Sequence, residues 1–260
     1  MPMQYFLSSV LLAVVASAPV YAAGLPDTGQ SLCDDGSSNM VPCSNANTGD
    51  SALMPRQDGR FGRDPAAGGS GFDYTKVCNS GEPAGTGSCP ADPALGPGAN
   101  EWACTQDNIT GLMWEVKTND SGLRDRDWTY TWYDSNPATN GGDAGLADTG
   151  AGVGSDNCLD SARCDTEQYA ADLNAAALCG HGDWRRPTKR ELESLAHLGA
   201  LNPAIDTTYF PNTLSHYYWS ASTYVQNPSR AWFVSFGDGG VNADGKGGSY
   251  DVRLVRGGQL

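Results

Sequence analysis

The residues of this chain that could do chemistry are its cysteines, its histidines, and a run of interleaved tyrosines, amides and charged groups near the C-terminus. The eight cysteines come first, because an even number at these spacings suits covalent bridges. A metal site would need CxxC pairs, or Cys and His at ligand spacing, and neither occurs. Spacing pairs Cys33 with Cys43 and Cys78 with Cys89. Cys158 and Cys164 then enclose a short loop of their own, which leaves Cys104 and Cys179 to close a long one. Eight cysteines allow on the order of 100 pairings, of which this is the one that spacing selects.

Catalysis finds little footing. His181, His197 and His216 are not spaced as metal ligands, and there is no Gly-x-Ser-x-Gly elbow, phosphate loop or dinucleotide fingerprint. Two carboxylates could still meet in space as glycosidases require. With 30 acidic residues in the chain, however, such a meeting carries little information. The expectation is a protein that binds and is not an enzyme, with a glycan-acting enzyme as the lesser alternative.

Binding has better candidates. Sugars need planar faces to stack on and amide, carboxylate or guanidinium groups to bond their hydroxyls. Tyr217, Tyr218, Tyr224, Asn227, Arg230, Asp238, Asn242, Asp244, Lys246 and Tyr250 interleave both kinds within one stretch. The competing reading is that the aromatics fill a sheet and the polar residues make its turns. Calcium is a further expectation, because that ion takes hard oxygen ligands from flexible loops. Asp134, Asn136, Asp143, Asp148 and Asp156 lie in one Gly-rich run, and Asp238, Asn242 and Asp244 form a shorter candidate. Neither fits the pattern of a calcium-binding helical loop, and a plain flexible loop is the alternative. The basic cluster Arg185, Arg186, Lys189 and Arg190 could grip an anionic glycan, against ordinary pairing with Asp183, Glu191 and Glu193.

These residues must be positioned by elements, and the elements lie in the C-terminal part. All seven Trp residues fall from Trp102 onward, which places the packed core there. Trp114, Trp184, Trp219 and Trp232 sit among apolar neighbours and are expected in it. Leu112, Trp114 and Val116 alternate with polar or smaller residues, the period of a half-buried strand starting near Thr110. Tyr169, Ala170, Leu173 and Ala177 recur at helical spacing between Thr166 and Cys179, and Gly180 stops the pattern. A second helix is capped by Thr188, with Glu191 completing a capping box, Leu192, Leu195 and Leu198 forming its stripe, and Gly199 ending it. Strands are then predicted at residues 217–222, 231–236 and 250–255. Segregated helices and an antiparallel sheet make the fold class α+β.

The N-terminal part is different in kind. Residues 1–22 contain no charged side chain, carry an apolar run from Phe6 to Val20, and end in Val20-Tyr21-Ala22, a small-x-small triplet that suits cleavage after Ala22. The run is shorter than the roughly 20 residues of a spanning helix, so residues 1–22 read as a signal peptide and the mature chain has no membrane span. Residues 23–103, rich in Gly, Asp, Asn, Ser and Pro, read as a loop-rich segment stapled by disulfides, ahead of a domain at 104–258. Export fits the bridges, since disulfides persist outside the inner membrane. The expected location is secreted or cell-surface, with the periplasm as the alternative. A net charge of −14 argues against nucleic acid and anionic membranes as partners.

Several segments together resemble a known family: TGLMWEVK from Thr110, LCGHGDWRRPTKRELESL from Leu178, NPAIDTTYFPN from Asn202, YYWSAS from Tyr217, and AWFVSFGDG through VRLVRGG at the end. Over roughly Cys104 to Gly258 the chain is similar to the Lcl C-terminal domain family of exported bacterial proteins, which takes its name from a collagen-like adhesin. LPDTGQ from Leu25 and QDGRFGRD from Gln57 also look like leader regions seen before this domain. The resemblance implies a C-type-lectin-like module, related to formylglycine-generating-enzyme domains, with two helices, a twisted antiparallel sheet and recognition carried by loops near the last strands. In the named adhesin the domain binds sulfated glycans as a trimer; this chain has no Gly-X-Y stalk, so a trimer is not carried over. Arg186 stands where relatives carry Leu in DWRLPT, and YWSAS replaces YWSSS. The partners so implied are an extracellular glycan or a surface protein. Self-assembly into a filament or matrix, through residues 23–100, is the alternative.

Overall fold

The computed structural model describes residues 72–148 and 157–258, together with Thr28 and the short strands β1 (Leu32–Cys33) and β2 (Val41–Pro42), which pair antiparallel. The proposed signal segment, Cys43 and Asp156 lie outside the described residues.

Two sheets frame the molecule. The first orders its strands β11-β5-β4-β3, with β3 at Tyr74–Cys78, β4 at Trp102–Asp107, β5 at Met113–Glu115 and β11 at Val255–Arg256. The second is an antiparallel meander of β7 (Tyr217–Thr223), β8 (Arg230–Ser235) and β9 (Val241–Gly245). A two-stranded ladder joins β6 (Tyr130–Thr131) to β10 (Ser249–Tyr250). Helix α1 spans Thr166–Ala175 and α2 spans Lys189–Glu193. The expected α+β class therefore holds, with the strands divided among separate sheets.

Both helices start as the sequence chemistry requires. Asp165 caps α1, its carboxylate accepting from the Glu167 and Gln168 amides, and the helix buries Thr166, Tyr169 and Leu173. It stops at Ala175, short of the expected Cys179, because Ala177 and Cys179 adopt left-handed backbone before Gly180. At α2 the capping box is complete: Thr188 Oγ1 accepts from the Glu191 amide and the Glu191 carboxylate accepts from the Thr188 amide. The regular helix ends at Glu193 instead of reaching Gly199, while turns carry the buried Leu195 onward.

Two other expectations are corrected, and the expected boundary is located within a strand. The boundary at 103/104 falls inside β4, and β3 pairs along β4, so residues from 72 onward build the same sheet as the C-terminal part. The strand expected at 250–255 is two short ladders, β10 and β11, separated by buried backbone. The strand at β5 is not half-buried but buried on both faces: Glu115 and Lys117 are fully buried alongside Leu112, Trp114 and Val116.

Two apolar clusters fill the interior. Leu112, Trp114, Leu192, Leu195, Tyr218, Val234 and Phe236 join α2 to both sheets. Cys104, Met113, Tyr130, Trp132, Tyr169, Trp184, Trp219 and Leu254 form the other. Of the Trp residues expected in the core, Trp114, Trp184 and Trp219 are buried, whereas Trp232 is half-buried with Lys189 Nζ 4.9 Å above its ring. Through the core runs a polar knot. Lys117 Nζ lies 2.9 Å from Glu115 Oε1 and donates to the Tyr169 hydroxyl, which in turn donates to Glu115. Arg253 donates to the Glu115 carbonyl and to Thr213, while its buried Nε has no hydrogen-bond partner.

Candidate functional site

Register decides what the meander can present. Tyr217 at the start of β7 lies opposite Ser235 at the end of β8, whereas Thr223 lies opposite Ala231. Tyr217 and the Tyr224–Arg230 turn are therefore at opposite ends of the hairpin, on the order of 20 Å apart at the usual rise of a strand. The residues expected to form one binding surface are split. Tyr224 is packed edge-on against Trp232, and Asn227 organises the turn by accepting from the Ser229 amide and hydroxyl. Tyr218 is fully buried, donating nothing outward, with its hydroxyl accepting from the Leu214 amide. Asn242 is exposed on β9, and Asp244 accepts the hydroxyl of Tyr250.

At the Tyr217 end there is a cleft of about 660 Å³. Tyr217, Asp238 and Tyr250 line it, the three expected residues that the fold brings together. Sequence reasoning missed the others: Asn202, Ser215, His216, Ser235 and Asp251 also face this space. Backbone bonds explain the assembly. The Asp251 amide donates to the Tyr217 carbonyl and the Trp219 amide donates to the Asp251 carbonyl, which docks the chain after β10 beside β7. The Asn202 amide donates to the Gly237 carbonyl, bringing a third segment to the rim. Gly239, at the adjoining turn, has φ +81°, and a Cβ there would come within 2.5 Å of the Leu198 side chain. None of these approaches has a local sequence signal, since each joins segments far apart in the chain.

The cleft combines an aromatic wall with polar groups. Tyr217 is 47% exposed, and its ring stands 4.6 Å from Phe233 and 5.3 Å from Tyr250, centroid to centroid. Asp238 is exposed, and its carboxyl is held below the usual carboxylate range by the Gly240 amide and the Ser235 hydroxyl. Asp251 is 2% exposed; its Oδ2 is 3.2 Å from His216 Nδ1, while its Oδ1 has no hydrogen-bond partner. Burial pushes its carboxyl up to about 6, against the pull of His216 and Lys117. Among the described residues no lysine or arginine lines the cleft.

The described carboxylates among those proposed for calcium do not converge. Among the described residues no three acidic, His or Cys side chains meet in a group that could hold a metal ion. Asp134 pairs with Arg186 at 2.9 Å, Asn136 caps a turn for Ala138, and Asp143 for Gly145. Asp148 accepts from the Cys164 amide. In the second candidate, Asp238, Asn242 and Asp244 each bond within their own turns or to Tyr250. Lys246, expected as a ligand contact, is instead buried: its ammonium donates to the Asn140 and Asp143 carbonyls and sits 3.8 Å above the Trp132 ring.

Against known proteins, the Lcl C-terminal domain description matches residues 103–256, more than half of the chain. The chain belongs to the Lcl C-terminal domain family. Neither a search of curated proteins nor one of solved structures gave a match. In this member of the Lcl C-terminal domain family, Arg186, expected from the resemblance to replace a leucine, has a definite structural place. Arg186 lies over the face of Trp132 opposite in kind to an aliphatic contact, 4.7 Å from the centroid, with its guanidinium on Asp134 and the Tyr133 carbonyl. Its neighbour Arg185 grips Glu191 through both nitrogens at 2.8 and 2.7 Å, Lys189 approaches Glu193 at 3.8 Å, and Asp183 pairs with Arg256. The basic cluster is largely consumed by internal pairs.

Disulfides join Cys78 to Cys89, Cys104 to Cys179 and Cys158 to Cys164, as spacing selected, while the pairing of Cys33 with Cys43 falls outside the described residues. No helix among the described residues is long and apolar enough to cross a membrane. Family membership and the three described bridges accord with an extracellular, adhesin-like module.

Proposed function

We propose that this chain is an exported binding module, not an enzyme, and that it recognises glycans in the cleft beside Tyr217. One observation carries the reading: a half-exposed tyrosine ring, backed by Phe233 and Tyr250, forms the wall of a cleft whose other groups are hydroxyl, amide, imidazole and carboxylate. That pairing of a flat apolar face with hydrogen-bonding side chains matches what a sugar offers, an apolar ring face and a rim of hydroxyls. The volume is that of a small-ligand site. Export through a cleaved leader at residues 1–22 and a C-type-lectin-like ancestry for the fold belong to the same proposal.

The mature protein on a glycan array should give a sugar signal. Replacing Tyr217 with Ala should abolish it, whereas Tyr224→Ala, at the far end of the hairpin, should leave it. An array without signal, or a signal indifferent to Tyr217→Ala, overturns the assignment.

A further inference from the structure

We infer that the cleft selects glycans bearing free amines, that is, cationic amino-sugar chains, over sulfated ones. The inference rests on the glycan-binding reading above and adds the charge of the ligand to it. Among the described lining residues the carboxylates are Asp238 and Asp251, no lysine or arginine stands beside them, and the one imidazole, His216, is paired with Asp251. Asp251 is the more telling of the two. It is buried to 2% exposure, yet its Oδ1 has no hydrogen-bond partner, and a buried acceptor left unmade costs free energy that a donor from a ligand would recover. An ammonium brings three donors and a positive charge to that atom.

The aromatic wall points the same way, because the negative face of the half-exposed Tyr217 ring attracts a cation as well as a sugar ring. Nearby protein cations do not offset the carboxylates. Lys117 is neutralised within the Glu115 and Tyr169 knot, and Lys246 is closed over by backbone carbonyls. Arg230 sits at the other end of the hairpin, and the whole chain carries −14. Among the described residues, a sulfate entering this cleft would meet two carboxylates and no lysine or arginine, with the His216 imidazole already engaged by Asp251.

Calorimetric titration of the mature protein at neutral pH separates the outcomes, using β-linked glucosamine oligomers, the same oligomers N-acetylated, and heparin oligosaccharides. The glucosamine oligomers should bind, and acetylation, which removes the charge and keeps the ring, should weaken them roughly tenfold. Asp238→Asn, which keeps the acceptor for the Gly240 amide, should weaken the amine oligomer severalfold and leave the acetylated one unchanged. Tyr217→Ala should abolish both. If acetylated chains bind as well as free amines and Asp238→Asn is silent, the charge inference is overturned while the glycan reading survives. Heparin binding more tightly than glucosamine, with sensitivity to Tyr217→Ala, overturns it likewise. If no sugar binds, or if Tyr217→Ala has no effect on any of them, the glycan reading itself fails and takes the inference with it.

Discussion

Asp251 gives the protein a pH signature that a single substitution can remove. Burial raises its carboxyl to about 6, while His216 and Lys117 favour the ionised form without cancelling that effect. In the unfolded chain the group returns to about 3.9. The folded state therefore holds the proton more tightly, and the associated stability is complete below about pH 4 and lost as pH rises through about 6, on the order of 3 kcal/mol. Asp251→Asn cannot ionise and escapes the loss. Urea denaturation of both proteins at pH 4 and pH 7 should show the variant gaining on the wild type by up to this amount, other carboxylates cancelling in the difference. A gap that does not change with pH would mean that Asp251 ionises as an ordinary carboxylate.

Local elements were legible where their signals are local. The capping box at α2 is a four-residue pattern, and it was readable because Thr188 and Glu191 satisfy each other's amides with no help from the rest of the fold. Thr188→Ala should cost about 1 kcal/mol in chemical denaturation and Thr188→Ser much less. A loss near zero would show that the Glu191 carboxylate, gripped by Arg185, holds the helix start alone. The β5 region was misread for a physical reason. A polar residue at every second position predicts a solvated face, but Glu115 and Lys117 satisfy each other and Tyr169 inside the core, so burial of charge by pairing has no signature in strand periodicity. The cleft was half legible for the same cause. Tyr217 and Tyr250 announced themselves by type, while His216 and Asp251 became neighbours only through the docking of β10 and the chain after it on β7.

At the scale of the molecule, covalent bridges tie together what sequence separates. Cys104 on β4 joins Cys179 beyond α1 across 75 residues, whereas Cys158 and Cys164 close a loop of 6. Loop-closure entropy makes the first worth roughly 4 kcal/mol and the second roughly 2. Replacing each pair by Ala and comparing denaturation midpoints under oxidising conditions should reproduce that order. Equal losses would mean that the bridges act through local packing and not through the unfolded chain. The extent of the sheet was less legible than the bridges, because β3 lies in a stretch dominated by turn residues and earns its place only by pairing with β4.

Trp132, with a guanidinium and an ammonium both close over its ring, has a wider meaning for the loop at 134–148. The oxygen atoms there that an ion might have claimed already serve a side chain anchored elsewhere in the same chain. The contour of that edge is thus written into the polypeptide, by an arginine and a lysine that reach it from distant parts of the chain.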